Sequence, residues 1–440
     1  MEELKNDSSK NDPLKNIKSE YMLKKVFNYL DLIKLLNLIK KSKLYQNKLN
    51  KDINSYKDEY SKIEIEIIPA QSDLIPFIND NIKDVNYHFY INDKKEEFKR
   101  NYLLRMDNAE KIKVVIKKFD KSLKGLFQNC VYNKKITFTK FNRNDIEDMS
   151  YMFDGCESLE EINLSKFKTC NVENMEYMFN RCSALEKLDL SSFVTSKVKD
   201  MKYMFYYCSK LKELKLPKFE TNNVENMRYM FMGCLSLDKL DLSHFNTEKV
   251  KDMCSMFCEC SSLEKLNLSN FCNNNVEDMS LMFSECELLE DLDISNFKTY
   301  NSTTMFNMFN RCLKLKHINL SNFNTQKVLC FDSMFNQCSS IKEINVSNFI
   351  TDNARNMRYM FKGCSSLEHL DLSNFNTQNV SDMSYMFEDC NLIIELNIKN
   401  FSMKDDDVSI NGMLRGCKSL SNIICSNEKF RNQISSTKND

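Results

Sequence analysis

A 26-residue period running from Cys130 to Cys417 constrains this chain more than any other feature of its sequence. The unit Leu185-x-x-Leu188-x-Leu190-x-x-Phe193-x-Thr195-x-x-Val198-x-x-Met201-x-x-Met204-Phe205-x-x-Cys208 recurs with nearly the same letters at each step of 26 residues. Its closing cysteine falls at 130, 156, 182, 208, 234, 260, 286, 312, 338, 364 and 390, and one inserted residue moves the last to Cys417. About eleven units therefore stand in register. A fixed period of this size marks stacked supersecondary units sharing one core, so the recurring apolar residues are core by construction.

Inside a unit, Leu188-Asp189-Leu190 alternates apolar and polar, as a short strand with its leucines inward does. Val198, Met201, Met204, Phe205 and Cys208 then fall at spacings of three, three, one and three, which predicts a helical face. Asp200 and its counterparts Asp148, Asn174, Asn226, Asp252, Asp278, Asn356 and Asp382 would cap that helix, at about 1 kcal/mol each. The expected fold class is α/β: a leucine-rich-repeat solenoid of strand–turn–helix units with a parallel concave sheet and a helical N-terminal segment. One unit buries roughly 1.5–3 kcal/mol per apolar side chain against about 1.5 kcal/mol of ordering entropy per residue, so it cannot stand alone. At about 4.8 Å per strand the stacked sheet would extend on the order of 50 Å. The Phe167, Phe193, Phe219 series occupies the turn, which is expected to rest on aromatic stacking more than on side-chain hydrogen bonds. The cysteine ladder shares the inward phase of Met201 and Met204 and reads as small buried hydrophobes.

The pattern Leu-x-x-Leu-x-Leu-Ser-x-Phe-x-Thr followed by Val-x-Asp/Asn-Met-x-x-Met-Phe-x-x-Cys resembles the BspA-like leucine-rich repeats of bacterial surface proteins and mycoplasma lipoprotein-associated domains. The resemblance covers residues 111–425. It implies a binding scaffold, and adhesion where such repeats stand on a cell surface.

The organisation along the chain is read as a charged lead at 1–18, a helical docking segment at 19–61, an N-terminal cap at 62–110, the repeat array at 111–425 and a tail at 426–440. In the second segment Leu23-x-x-Val26-Phe27-x-Tyr29-Leu30, Leu35-Leu36, Ser42-Lys43 and Tyr45 resemble an F-box, although Glu20-Tyr21 replaces the usual Leu-Pro opening. The resemblance implies docking to a cullin-ligase adaptor through residues 19–46, with the repeats choosing a substrate for ubiquitin transfer. Ile63, Ile65 and Ile67 alternate with charged residues, and Tyr87–Ile91 and Ile112–Ile116 are further strands, with a charged helical piece near Lys94 to Arg105 between them. These strands are expected to cover the first open edge of the array. Ser402 to Val408 breaks the period, and the unit ending at Cys417 reads as a C-terminal cap.

Lys and Arg total 62, as do Asp and Glu, so no charge surplus favours nucleic acid. The N-terminus lacks the apolar core of a secretory signal, and no stretch reaches membrane-span length. Acceptor sequences such as Asn163-Leu164-Ser165, Asn267-Leu268-Ser269 and Asn319-Leu320-Ser321 would carry glycans on the strands of a secreted chain. Together these favour a cytoplasmic location. Six scattered glycines make no phosphate loop, and His88, His244, His317 and His369 form no catalytic or ligand pair. Cys254 and Cys258, four apart on a predicted helix, stand near the ladder residue Cys260, and these three thiols have no fourth ligand for zinc. No cofactor, metal or catalytic residue is expected, and the reading is of a non-enzymatic protein–protein interaction scaffold. Its partner-binding positions are the polar strand residues Lys187, Asp189, Lys239, Asp241, Lys265, Asn267, Asp291, Asp293, His317, Asn319, His369 and Asp371, which vary in sign from unit to unit on a constant frame.

Overall fold

A computed structural model describes residues 43–49, 60–70, 75–79, 86–117, 120–217, 219–403 and 408–438, with residues 17, 19, 22, 26 and 38 as single positions before them. The period is a β-solenoid of about eleven 26-residue turns, one core cluster running without a break from Ile63 to Ile434.

The three strands expected ahead of the array are present and do close its edge. Lys62–Pro69 pairs antiparallel with Ile112–Lys117 on one side and with Asn133–Phe141 on the other. Tyr87–Ile91 adds to the far side of Ile112–Lys117, and Asn133–Phe141 pairs parallel with Glu161–Asn163, the first step of the solenoid. Ile112–Lys117 thus belongs to the cap, and the first solenoid rung is Ser122, so the array begins after residue 117 rather than at 111. The charged piece near Lys94 to Arg105 is not helical; only a single 3-10 turn, Arg105–Asp107, follows it. At the other end the sequence expectation of a tail gives way to a helix, Glu428–Ser436, capped where Phe430 N donates to Asn427 Oδ1 at 3.0 Å. Phe430 and Ile434 lie one helical turn apart and are buried over the last unit, with the Phe430 ring 6.2 Å from Phe401. Asp405, Asp406 and Asp407 fall outside the described residues.

The larger correction concerns the predicted helix of each unit, which does not form. In the unit 198–208, Tyr203 and Tyr207 have φ of 57° and 51°, a handedness a right-handed helix excludes. Alternate amides leave the unit altogether: Met201 N, Tyr203 N, Phe205 N and Tyr207 N donate to the carbonyls of Asn226, Arg228, Met230 and Met232 at 3.1, 3.0, 2.9 and 2.7 Å. The amides between them close tight turns, Met204 N to Met201 O and Tyr206 N to Tyr203 O, both at 3.2 Å. A run of such turns buries residues at the same three, three, one and three spacing as a short helix, which is why periodicity could not separate them. Asp200 does accept an amide, but as an Asx turn, from Lys202 N at 2.9 Å.

Those aspartate and asparagine positions form the continuous parallel ladder of the solenoid, from Ser122 through Asp148, Asn174, Asp200 and onward to Asp382 and Ser409. The strand side is parallel, as expected, and its ladder bonds come in steps: Lys187–Asp189 with Glu213–Lys215, Lys239–Asp241 with Lys265–Asn267, Asp291–Leu292 with His317–Ile318, and His369–Asp371 through Glu395–Asn397 to Asn422–Ile424. Glycine substitution distinguishes turn from helix by sign. Gly233 has φ of 72°, and an added Cβ would sit 2.8 Å from the Tyr207 ring. Gly233→Ala would stabilise a helix by about 1 kcal/mol; here it is expected to lower stability by roughly 1–2 kcal/mol, read from the urea midpoint.

Three ladders hold the turns together. Phenylalanines stack on their equivalents, for example Phe193 on Phe219 at 6.5 Å and Phe205 on Phe231 at 5.3 Å. Each ladder cysteine from Cys156 onward donates its thiol to a phenylalanine carbonyl, as Cys208 Sγ does to Phe179 O at 3.2 Å. Threonine carries the third: Thr169 Oγ1 donates to Val194 O at 2.8 Å and accepts from Val194 N at 2.7 Å, and Thr221, Thr247, Thr299, Thr325, Thr351 and Thr377 repeat this. Side-chain hydrogen bonds therefore support the phenylalanine turn alongside the stacking, contrary to the sequence expectation. Asn273 interrupts the threonine ladder: it is fully buried, its Oδ1 has no hydrogen-bond partner, and its amide nitrogen points at Met253 and Met279 sulfurs 3.8 and 3.9 Å away. An unsatisfied buried acceptor costs about 1–3 kcal/mol, so Asn273→Thr is expected to raise stability by about that amount, measured by chemical denaturation.

Candidate strand-face binding surface

All twelve sequence-predicted positions are exposed on the strand side, while the residues between them, Leu188, Leu240, Leu292 and Leu370, are buried. The structure divides the twelve into two columns with different duties. Asp189, Asp241, Asn267, Asp293, Asn319 and Asp371 each accept the backbone amide of the serine two residues on, at 2.9, 3.0, 3.2, 3.0, 3.1 and 2.8 Å. These bonds fold the turn leading to the phenylalanine, and hydrogen bonds from the serine hold the carboxyls of Asp189, Asp241, Asp293 and Asp371 below their ordinary range. Half of the predicted set thus carries a folding role as well as facing solvent.

Lys187, Lys239, Lys265, Asp291, His317 and His369 form the other column, which makes no such turn bond. Sequence reading omitted its members Glu213, Glu343 and Glu395, though they sit one period from Lys187, His317 and His369. Strand registry places Lys187 beside Glu213, Lys239 beside Lys265, Asp291 beside His317, and His369 beside Glu395. A trough of about 840 Å³ runs over Asp291, Asp293, His317, Glu343, His369 and Asp371, with Leu292, Ile318 and Ile344 in its floor. A second, of about 790 Å³, lies over Glu213, Lys215, Lys239 and Asp241.

Sequence reasoning also missed a tyrosine ladder on the turn side. Tyr151, Tyr177, Tyr203 and Tyr229 stack at 4.7, 4.4 and 4.6 Å, with Lys124 over the first ring and Arg228 over the last. Each ring face is occupied by a neighbour or a cation, so the ladder braces the left-handed tyrosines rather than offering a stacking platform.

Cys254 and Cys258 lie on the turn ladder, not on a helix, and both are buried; burial pushes the Cys258 thiol up to about 12. Among the described residues no cluster of three His, Cys, Asp or Glu could hold a metal ion. No helix among the described residues is long and apolar enough to cross a membrane. The F-box-like motif falls outside the described residues apart from Val26 and the helix Lys43–Leu49, in which Tyr45 is buried.

With the ladder and the strand face defined, comparison places the repeat. A family model described as "Mycoplasma protein of unknown function, DUF285" matches residues 121–240, 209–320 and 303–427. The chain belongs to this family. Its matched region starts beside the first rung at Ser122 and spans the solenoid. No curated protein matches the chain. Two solved structures are similar at low identity. One is a leucine rich cell surface protein from Faecalibacterium prausnitzii A2-165, 15% identical over 83% of this chain and 98% of that one, with a TM-score of 0.31. The other is the TLR13-ssRNA13 complex, 14% identical over 66% of this chain and 52% of that one, with a TM-score of 0.20.

Proposed function

We propose that the chain is a non-enzymatic binding protein that recognises another protein on the strand face of its solenoid. The observation carrying this is the outward-facing column that changes from Lys187 to Glu213, Lys239, Lys265, Asp291, His317, Glu343, His369 and Glu395 while the positions around it stay aliphatic or phenylalanine. Variable chemistry on a rigid repeated frame suits recognition, whereas catalysis needs a convergent set of groups at one point.

The test uses this column alone, since reversing Asp241 or Asp293 would also break a turn. A partner captured by crosslinking to the full chain is expected to lose at least ten-fold in affinity for the variant Lys239→Glu, Lys265→Glu, Asp291→Lys, with the melting temperature of the variant close to wild type. Unaltered affinity would remove this face from consideration. The F-box-like pattern from Leu23 to Tyr45 favours a second reading, a ubiquitin-ligase substrate receptor. Co-purification of a cullin adaptor, abolished by deleting residues 19–46, supports it, and its absence from the purified complex removes it. The likeness to BspA-type repeats supports a third, an adhesin, which a chain fully protected from protease on intact cells would exclude.

A further inference from the structure

The strand face is unevenly neutralised. Over its first four turns the column pairs internally, Lys135 with Glu161 at 2.7 Å and Lys187 with Glu213 at 3.5 Å, and in the neighbouring column Lys215 reaches Asp189 at 3.9 Å. Beyond them the arrangement changes. Lys239 and Lys265 stand directly opposite each other on paired parallel strands, a like-charge juxtaposition that costs stability. From Asp291 to Asn397 the two columns hold Asp291, Asp293, Glu343, Asp371 and Glu395 with His317 and His369, and no lysine or arginine. Among the described residues, Lys239, Lys265, Asp291, Glu343 and Glu395 take part in no ion pair, although the same fold pairs Lys135, Lys187 and Lys215. Counting both columns, the face carries Lys239 and Lys265 against Asp241 over two turns, a small positive excess, and five carboxylates with no lysine or arginine over the next five, with the 840 Å³ trough in the negative part.

Resting on the binding role proposed for this face, we propose that the stretch from Lys239 to Glu395 docks one extended polypeptide segment of bipolar charge. The segment is acidic where it crosses Lys239 and Lys265 and basic where it crosses Asp291, Glu343 and Glu395. Six strand steps of about 4.8 Å separate Lys239 from Glu395, a span matched by about nine extended residues at roughly 3.3 Å each. The trough floor, partly buried Ile318 between the buried Leu292 and Ile344, gives the basic half an apolar strip on which to lay lysine or arginine methylenes. Charge order along the segment fixes its direction, because the reversed segment would place cations on Lys239 and Lys265.

Three fluorescein-labelled nonapeptides test this against the full chain by anisotropy at low salt: one with an acidic end and a basic remainder, one all-lysine, and one all-glutamate. The bipolar peptide is expected to bind at least ten-fold more tightly than the all-glutamate peptide and several-fold more tightly than the all-lysine one. Lys239→Glu with Lys265→Glu should invert the order of the bipolar and all-lysine peptides, and Asp291→Asn with Glu343→Gln should weaken both. Thermal melts confirm that each variant is folded. Equal binding of the three peptides, or an order unmoved by the lysine substitutions, overturns the inference. If the captured partner is lost with the charge-reversed face while the peptides are not discriminated, the binding face stands and this charge register falls; peptide discrimination with an unaffected partner supports the register and removes the face as that partner's site.

Discussion

Raising the pH from 8 to 10 under reducing conditions is expected to cost the solenoid much of its stability. Eleven ladder thiols, Cys156 to Cys417, are buried, and burial raises each above its ordinary value, to about 12 for Cys208, Cys312, Cys364 and Cys417. The sign follows from proton counting. Above about pH 8.5 an unfolded thiol ionises while the folded one keeps its proton, so the unfolded state binds fewer protons and stability falls with pH. The contribution is complete below the unfolded pKa and disappears as pH climbs towards the folded one. Each thiol contributes up to about 1.4 kcal/mol per pH unit once the unfolded form is ionised, so cooperative exposure of several sums to many kcal/mol. Burial raises Tyr151, Tyr177 and Tyr203 as well, which acts in the same direction at higher pH. Urea midpoints followed by circular dichroism at pH 7.5, 9 and 10 check the effect. Replacing Cys156, Cys208 and Cys312 by alanine should lower the midpoint at pH 7.5 yet flatten its pH dependence. A midpoint constant to pH 10 would show that these thiols are not protonated in the folded core.

Truncating one ring at the centre of the array is expected to have a second large effect. Phe257 is fully buried between Phe231 at 5.7 Å and Phe283 at 5.6 Å, and its carbonyl accepts the Cys286 thiol at 3.2 Å. Phe257→Ala removes a buried ring at about 3–5 kcal/mol, and the loss falls on two inter-turn interfaces at once. In a one-dimensional array each turn is stabilised by its neighbours alone, so weakening both central interfaces uncouples the halves. Denaturation of the variant should begin at lower urea and resolve into two steps where the parent shows one. Leu235→Ala, at a side chain 39% exposed, serves as the control and should shift stability by less than about 0.5 kcal/mol. A single unshifted transition in the Phe257 variant would refute the ladder as the source of cohesion.

Much of the core was legible before any coordinates. The recurrence of Leu188, Phe193, Val198, Met201, Met204, Phe205 and Cys208 identifies the buried set because each position repeats in an identical environment, and all seven are buried. The alternation in Ile63, Ile65 and Ile67 likewise revealed the cap strand, since one face of a strand must be apolar when it seals an edge. The Met-x-x-Met-Phe-x-x-Cys stretch was misread as helix because the turn ladder buries the same positions. What separates the two is the destination of Met201, Tyr203 and Phe205 amides in the next turn, a contact 25 residues away. At the candidate site the exposed positions were visible, but their division was not: the Asp189, Asp241 and Asp293 column is tied to serine amides, while the Lys239 to Glu395 column is free of that duty.

The sequence by itself determined that this protein is a linear stack of equivalent turns, with its core residues and the outward phase of its variable positions, because a strict period of 26 leaves no other way to bury so many repeated apolar side chains. Tertiary structure alone decided that the turns are joined by parallel bridges and left-handed residues instead of helices, and that the tail folds back as a capping helix. It also decided which charges on the strand face are neutralised. Each of these depends on what lies one turn away, and that is set by the stacking of units rather than by the order of residues within one.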